Sequence, residues 1–439
     1  MGTAMSGQLQ KGIYINDKSY RIGSKVVNKK STSLRTFAIL FLRVAEGRTS
    51  IDIEKSLKKL WNMYQRLEKG KVAGLPKTVL PNGGLTVLVG YAPSIFEFPD
   101  IRKNLPNDLR GRQFLPPGNG GKPILNGSGI KYALDIHENV GISEHIVFQF
   151  ISNTQLATYR AIVETMKHLA STDQNDRTLY LTKFYTGFQR DDGRSWLGFH
   201  DGLSNMKNAE EREDAIRINI ANNKLEHSDY WTRGGTYLAF LRIEIDLSIW
   251  ERIDRKSQEL IVGRDKLKGY PLIGVDRVGN PVSNRGSPRN RRSNIYYKFE
   301  DHPDYFKKPV LANQKQNVLD AEASIRMLTQ SHIGRTRHID KFESKEVASR
   351  RIFRQTFEFL ESVPDNTSKP LRTGLNFVSF QNDPGRLFFI LTDPNWMGNV
   401  SFGGNPNIEG MDKLFSVLAA GVFYVPRVGH PFPGANIFI

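Results

Sequence analysis

The chain has 439 residues, 39% hydrophobic and 24% charged, enough for two or three average domains or a duplicated pair with a sizeable core. It has no cysteine, which excludes disulfides, thiolate ligands, iron–sulfur clusters and cysteine nucleophiles, and leaves any metal to nine histidines, the carboxylates, Tyr and Met. The net charge of +17 attracts anions, but the basic residues are spread along the chain apart from a cluster at 283–292. No helix-turn-helix, zinc-finger or aromatic RNA-binding pattern accompanies them, so nucleic-acid binding is not expected.

Residues 1–33 are polar and mixed and read as an N-terminal arm. The first eleven lack the charged, apolar and small-residue regions of a secretory leader, and no run approaches the roughly 18 to 20 apolar residues of a membrane helix. A cytoplasmic location and no membrane partner are the expectation. Residues 36–44 (TFAILFLRV) are β-rich. Ser50 and Glu54 follow, one residue too far apart for a capping box. Ile53, Leu57, Leu60, Trp61, Tyr64 and Leu67 then recur at helical spacing. Residues 83–91 read as a strand, 116–129 as a Gly- and Pro-rich loop, 144–152 as a strand, 153–169 as a helix and 179–189 as a strand.

The second half repeats the theme. Residues 235–246 read as a strand and 247–260 as a helix, followed by a basic, loop-rich insertion at 264–318. A helix at 318–328 leads to His332, and 351–359 is a strand. Residues 375–381 and 386–391 flank the turn signal Asn382-Asp383-Pro384-Gly385. A helix near 407–418 and a last strand at 422–426 complete the chain. The element order predicts an α+β protein of two ferredoxin-like domains, at 34–215 and 216–439; the repeat is one of element order, not of sequence.

Three constellations could carry chemistry. Gly198-Phe199-His200-Asp201-Gly202 follows a predicted strand, and its glycines permit a tight turn that could present Asp201 or let a flat ligand approach. His332 lies in Ser331-His332-Ile333-Gly334-Arg335-Thr336-Arg337, an imidazole suited to iron beside two arginines that could pair with carboxylates. Arg354 lies in an alternating strand, where an inward guanidinium needs an anionic partner. Taken singly, each has a plainer reading: a β-turn with an Asx hydrogen bond, a surface histidine, a solvated strand face.

Taken in order, the motifs resemble the dye-decolorising peroxidase family. Gly198 to Gly202 followed by Asn205 matches its Gly-x-x-Asp-Gly motif, and residues 235–246 (GTYLAFLRIEID) match its Gly-Ser-Tyr-Leu strand. Ser331-His332-Ile333-Gly334-Arg335 matches Ser-His-Ile-Arg-Arg, and residues 351–356 (RIFRQT) match Arg-Ile-Leu-Arg-Arg-Gly. Residues 374–381 (GLNFVSFQ) match Gly-Leu-x-Phe-x-x-Phe/Tyr-Gln. The resemblance covers most of the chain and is strongest from about residue 180 onward.

The resemblance implies a dimeric α+β barrel-like peroxidase fold, with one haem b per chain held between the two domains, mainly by the second. The distal loop would belong to the first domain and the proximal histidine to the second. His332 would be the iron ligand. Its carboxylate partner would be Asp412, with Glu409 as second choice. Asp201 would take a proton from hydrogen peroxide and return it to the leaving oxygen, and Arg354 would stabilise the developing charge. Gly202 belongs to the loop against the cofactor. Leu375 and Phe377 would wall a small distal pocket, and Arg335 and Arg337 would pair with propionates. An organic donor such as a dye or phenol would deliver electrons at the surface, with Trp196, Trp231, Trp250 and Trp396 as candidate relays or simply core residues.

Three departures stand out: Gly334 replaces an arginine, Gln355-Thr356 replaces Arg-Gly, and Met206 replaces a proline. His200, at a variable position, is expected to face outward. The family often forms homo-oligomers. A haem storage or transfer protein with little turnover is the alternative, but such a carrier needs neither Asp201 nor Arg354.

Overall fold

The computed structural model describes residues 36–75, 77–110, 144–173, 176–190, 192–202, 205–206, 209–220, 225–267, 331–332, 352–363, 370–387 and 414–438, with short pieces at 9–10, 13, 21–22, 25–26, 114–115, 124–126, 129–131, 138–139 and 269.

Strand β1 (Thr36–Val44) leads into helix α1 (Ser50–Glu68). The helix opens with a capping box one register from the Ser50–Glu54 pair. The Thr49 hydroxyl accepts the Asp52 N–H at 3.3 Å, and the Asp52 carboxylate accepts the Thr49 N–H at 3.1 Å. Ile53, Leu57, Leu60, Tyr64 and Leu67 form its buried stripe, as their spacing predicts, while Trp61 is only partly buried. Then come β2 (Thr86–Tyr91), β3 (Ile146–Ser152), α2 (Gln155–Ala170) and β4 (Leu179–Phe188).

These four strands pair antiparallel in the order β4-β1-β3-β2, the ferredoxin-like arrangement.

After α3 (Ala209–Ile216), the second unit begins with β5 (Thr236–Ile245). The single helix expected over 247–260 is two, α4 (Leu247–Glu251) and α5 (Arg255–Val262). Asp246 caps the first and Asp254 the second, each carboxylate accepting backbone N–H groups of the following turn. The second cap restarts the helix in a new direction. Strands β6 (Phe353–Ser362), β7 (Leu371–Gln381) and β8 (Phe415–Val425) follow. Two expectations fail here. Residues 385–387 form a helical turn rather than a strand, and 415–418 belong to the long strand β8 rather than to a helix. In β8 both faces are covered, so its apolar residues run continuously and carry no period of two. The second sheet has the order β6-β7-β5-β8, again ferredoxin-like.

Two seams join the sheets into an eight-stranded ring. At one, Phe188 of β4 pairs with Glu358 of β6; at the other, Tyr424 of β8 pairs with Tyr91 of β2. Each seam has one residue pair, so other contacts must hold it. A Cβ on Gly187 would meet the Glu358 carbonyl oxygen and the Phe357 Cβ at 2.9 Å, so glycine lets the strands close there. At the second seam the Gln10 amide donates to the Val89 and Pro426 carbonyls at 3.0 and 2.8 Å, and its oxygen accepts the Val89 N–H. Three residues of the N-terminal arm are thus buried: Gln10 at the seam, and Leu9 and Ile13 in the core inside the ring.

That inner core holds Phe37, Ile39, Phe41, Leu238, Phe240, Phe353, Phe357, Val378 and Phe380. Outside the first sheet, Leu40, Leu42, Phe148 and Phe150 pack with the helix residues Ile53, Leu60, Tyr64 and Ile162.

Candidate functional site

The outer face of the second sheet differs. Registration places Arg354 opposite Ser379, Thr356 opposite Phe377 and Glu358 opposite Leu375. Cross-strand partners share a face, so a row of polar side chains on β6 runs beside the partly buried Leu375 and Phe377 on β7. The alternate residues Phe353, Gln355 and Phe357 point into the ring, where the Gln355 amide donates to the Ile13 carbonyl at 2.8 Å.

The loop at 193–202 lies against this face. Gly198 and Gly202 have φ of +83° and +71°, the left-handed region that fits glycine. The Arg194 guanidinium donates to the carbonyls of Gly198 and Lys266, both at 2.6 Å, and of Leu267 at 2.9 Å. The fully buried Trp250 donates its indole N–H to the Leu197 carbonyl at 3.1 Å. The loop is therefore anchored to α4 and the exit of α5. His200 reaches the Leu267 carbonyl at 3.3 Å rather than the neighbouring Asp201 carboxylate.

Two contacts fix the loop on β6. Asn205 holds the backbone of Arg354 from both sides: its amide donates to the Arg354 carbonyl at 2.7 Å, and its oxygen accepts the Arg354 N–H at 3.1 Å. The Thr356 hydroxyl donates to Asp201 Oδ2, while Oδ1 accepts the Gly202 N–H at 2.7 Å. Thr356, a departure from the resembled pattern, is thus the group that ties Asp201 to the strand bearing Arg354. Asp201 itself is exposed, and no carboxylate among the described residues pairs with the partly buried Arg354 guanidinium.

His332 follows the buried Ser331, and its Nδ1 is shut off from solvent. Burial, then the positive charges of Arg354 and Arg264, push the His332 imidazole down to about 3. The ring is neutral at physiological pH, the state in which it can ligate a metal, and Arg354 lies within electrostatic reach. No group of three or more His, Asp or Glu among the described residues could hold a bare metal ion. A neutral imidazole fits iron in a haem, where the macrocycle supplies the other nitrogen ligands.

Sequence reading missed Glu358. It is 6% exposed; its Oε1 accepts the Trp196 N–H at 2.5 Å, while Oε2 is buried without a hydrogen-bond partner among the described residues. Burial, opposed by the Trp196 N–H and Arg190 and reinforced by Asp201 and Asp192, raises its carboxyl to about 8. The signal in the sequence was the alternation of Arg354, Thr356 and Glu358 against Phe353, Phe357 and Phe359 in one strand.

Asp201, Gly202, Arg354, Leu375 and Phe377 thus belong to one face of the second sheet and its covering loop. Arg335, Arg337, Asp412, Glu409 and Trp396 lie outside the described residues, as does the basic cluster at 283–292. Of the other tryptophans, Trp250 is fully buried. Trp231 packs on Phe96 and Tyr424, and Trp196 stacks under Arg190 beside Phe188. No described helix is long and apolar enough to cross a membrane.

Residues 192–429, more than half of the chain, match the family model for the C-terminal part of Dyp-type peroxidases. A deferrochelatase of Yersinia pestis is 23% identical over 282 residues, covering 64% of this chain and 52% of the relative. The chain thus matches about half the length of that protein. A DyP-type peroxidase structure from Streptomyces coelicolor superposes with a TM-score of 0.63 at 18% identity, covering 99% of this chain and 95% of that one. A DypB variant from Rhodococcus jostii, in complex with heme, superposes with a TM-score of 0.52 at 14% identity, covering 92% and 94%. At these identities the structural likeness speaks to fold alone.

Proposed function

Because the chain belongs to the Dyp-type peroxidase family, we propose that it is a haem b peroxidase that reduces hydrogen peroxide at the expense of an organic electron donor such as a dye or phenol. The observation that carries this reading is the double tie between the 193–202 loop and β6. Asn205 fixes the Arg354 backbone and Thr356 fixes Asp201, so both residues are held on one strand, with a neutral His332 in electrostatic reach of Arg354.

His332 would hold the iron, with Asp412 as the carboxylate behind it and Arg335 and Arg337 toward the propionates. When bound, the haem would supply the one-electron redox chemistry between peroxide and donor. The remaining steps belong to the chain. The Asp201 carboxylate accepts a proton from the peroxide oxygen that approaches it and returns that proton to the departing oxygen. Thr356 orients Asp201 by donating to Oδ2, leaving the carboxylate's remaining lone pairs for the incoming proton. The Arg354 guanidinium favours peroxide as its anion and stabilises negative charge as the O–O bond breaks. Leu375 and Phe377 keep the space beside these groups narrow, so a bulky donor reacts at the surface.

The test is reconstitution with haem b. Stoichiometric retention, a peroxide-dependent change in the Soret band and dye oxidation are expected. Undiminished haem retention by His332→Ala would remove the ligand assignment.

A second reading, haem handling with little turnover, is favoured by the name of the Yersinia pestis relative. Release of iron from bound haem, without oxidation of a donor, would select it.

A further inference from the structure

We propose that Glu358 is a second carboxyl of this site and works through Asp201: while the site is active Glu358 holds a proton, so that no second negative charge stands beside Asp201. This rests on the reading of Asp201 as the proton acceptor for peroxide.

The placement comes first. Glu358 lies two residues along β6 from Thr356, on the same face, about 7 Å away by strand geometry. Thr356 donates to Asp201, and Asp201 lies within electrostatic reach of Glu358. Glu358 also lies on the seam opposite Phe188 and beside Leu375, where the ring's two halves meet and water is excluded.

The hydrogen bonding then points to the neutral acid. Oε1 accepts the Trp196 N–H, as the carbonyl oxygen of a carboxylic acid would. Oε2, shut off from solvent with no described acceptor or donor, would carry the hydrogen. A carboxylate there would leave one charged oxygen bare, which is far costlier than a hydroxyl.

The charges facing Glu358 come from three directions. Arg190, just after β4, favours ionisation but is engaged with Asp192 at 2.6 Å. Asp192 and Asp201 both oppose ionisation. The Trp196 N–H favours it, and burial, the largest influence, opposes it. The balance leaves Glu358 protonated at neutral pH, with its midpoint near 8.

Below the midpoint Glu358 is neutral and no second negative charge stands beside Asp201. Above it, Glu358 releases its proton to solvent. The second negative charge then opposes the approach of a peroxide anion and weakens the hold of Arg354 on it.

Infrared difference spectroscopy on the full chain, with and without haem b, tests this directly. A carbonyl band of a protonated carboxylic acid is expected at neutral pH. It should disappear with a midpoint near 8, be missing in Glu358→Gln, and persist in Glu358→Asp. Asp201→Asn should lower the midpoint, because a facing negative charge is gone. In the haem-loaded protein the alkaline loss of peroxide reactivity should share that midpoint and vanish in Glu358→Gln. Absence of the band at neutral pH overturns the proposal, as does a Glu358→Gln profile that overlays the wild type. The haem-free band and its response to Asp201→Asn report on the pair even if the protein does not react with peroxide, so this inference and the peroxidase reading fail separately.

Discussion

The two halves of the ring have the same strand order and differ in what their outer faces carry beside a shared apolar layer. In the first, two amphipathic helices cover the sheet, and Leu40, Leu42, Phe148 and Phe150 meet Leu60, Tyr64 and Ile162 in a continuous apolar layer. In the second, Tyr237, Leu241 and Val422 pack with the helix residues Trp250 and Ile261, while β6 carries Arg354, Thr356 and Glu358 beside Leu375 and Phe377, with the 193–202 loop tied to it. One unit stabilises the ring. The other, held in place by the first and by the shared inner core, can carry polar groups that would be costly in an isolated domain of this size.

This division can be broken from either side. The largest effect should come from the covered face. Phe148→Ala removes a ring packed on Tyr64 at 4.9 Å and should cost about 3–5 kcal/mol. Chemical denaturation should show that loss while haem binding by the folded fraction stays unchanged. If haem affinity falls in the folded fraction as well, the halves are not specialised in this way.

Next in size is the pH dependence set by Glu358. Its folded carboxyl titrates near 8, above the ordinary range near 4.5 that an unfolded chain would show. Between those values the folded state holds a proton that the unfolded state has lost, so the group's contribution to stability falls as pH rises through that window. Glu358→Gln should remove the slope and raise stability by a few kcal/mol, order of magnitude, near pH 8. Thermal melts across the window would show two curves converging toward acid. Parallel curves would mean that Glu358 ionises normally.

Smaller effects are expected at the ties. Asn205→Ala loses both contacts to the Arg354 backbone and should cost about 1–3 kcal/mol. Peroxide reactivity should fall by about tenfold or more, because the guanidinium is no longer held in place. Thr356→Val keeps the shape but removes the hydroxyl that orients Asp201. Its stability cost should be about 0.5–1.5 kcal/mol, with a drop in peroxide reactivity that Thr356→Ser restores. A valine variant as active as the wild type would leave Asp201 independent of the strand.

How much of this was legible in the sequence follows from what each signal depends on. The strands at 36–44 and 236–245 and the helix stripe from Ile53 to Leu67 were readable because local periodicity reports a single buried face. Asp201 and Arg354 were readable as motif members, but their connection was not. It passes through Asn205 and Thr356, and Thr356 read as a departure because the hydroxyl's partner is 155 residues away. The alternation along β6 puts Glu358 on the face of Arg354, but its burial was silent for a related reason: burial at a seam between two sheets is a property of the closed ring, not of the residues around it. Where local chemistry misled, the cause was equally local. Asp254 divides a helix whose apolar spacing continues past it, and the turn at 385–387 is helical beside a good strand signal.

The central claim is that Asp201 and Arg354 act together on peroxide at a haem held by His332. Stopped-flow mixing of the haem-loaded protein with hydrogen peroxide, beside Asp201→Ala and Arg354→Leu, tests it most directly. A rapid Soret change in the wild type is predicted, slowed by about a hundredfold or more in at least one of the two variants at unchanged haem content. Rates in both variants equal to that of the wild type would contradict it.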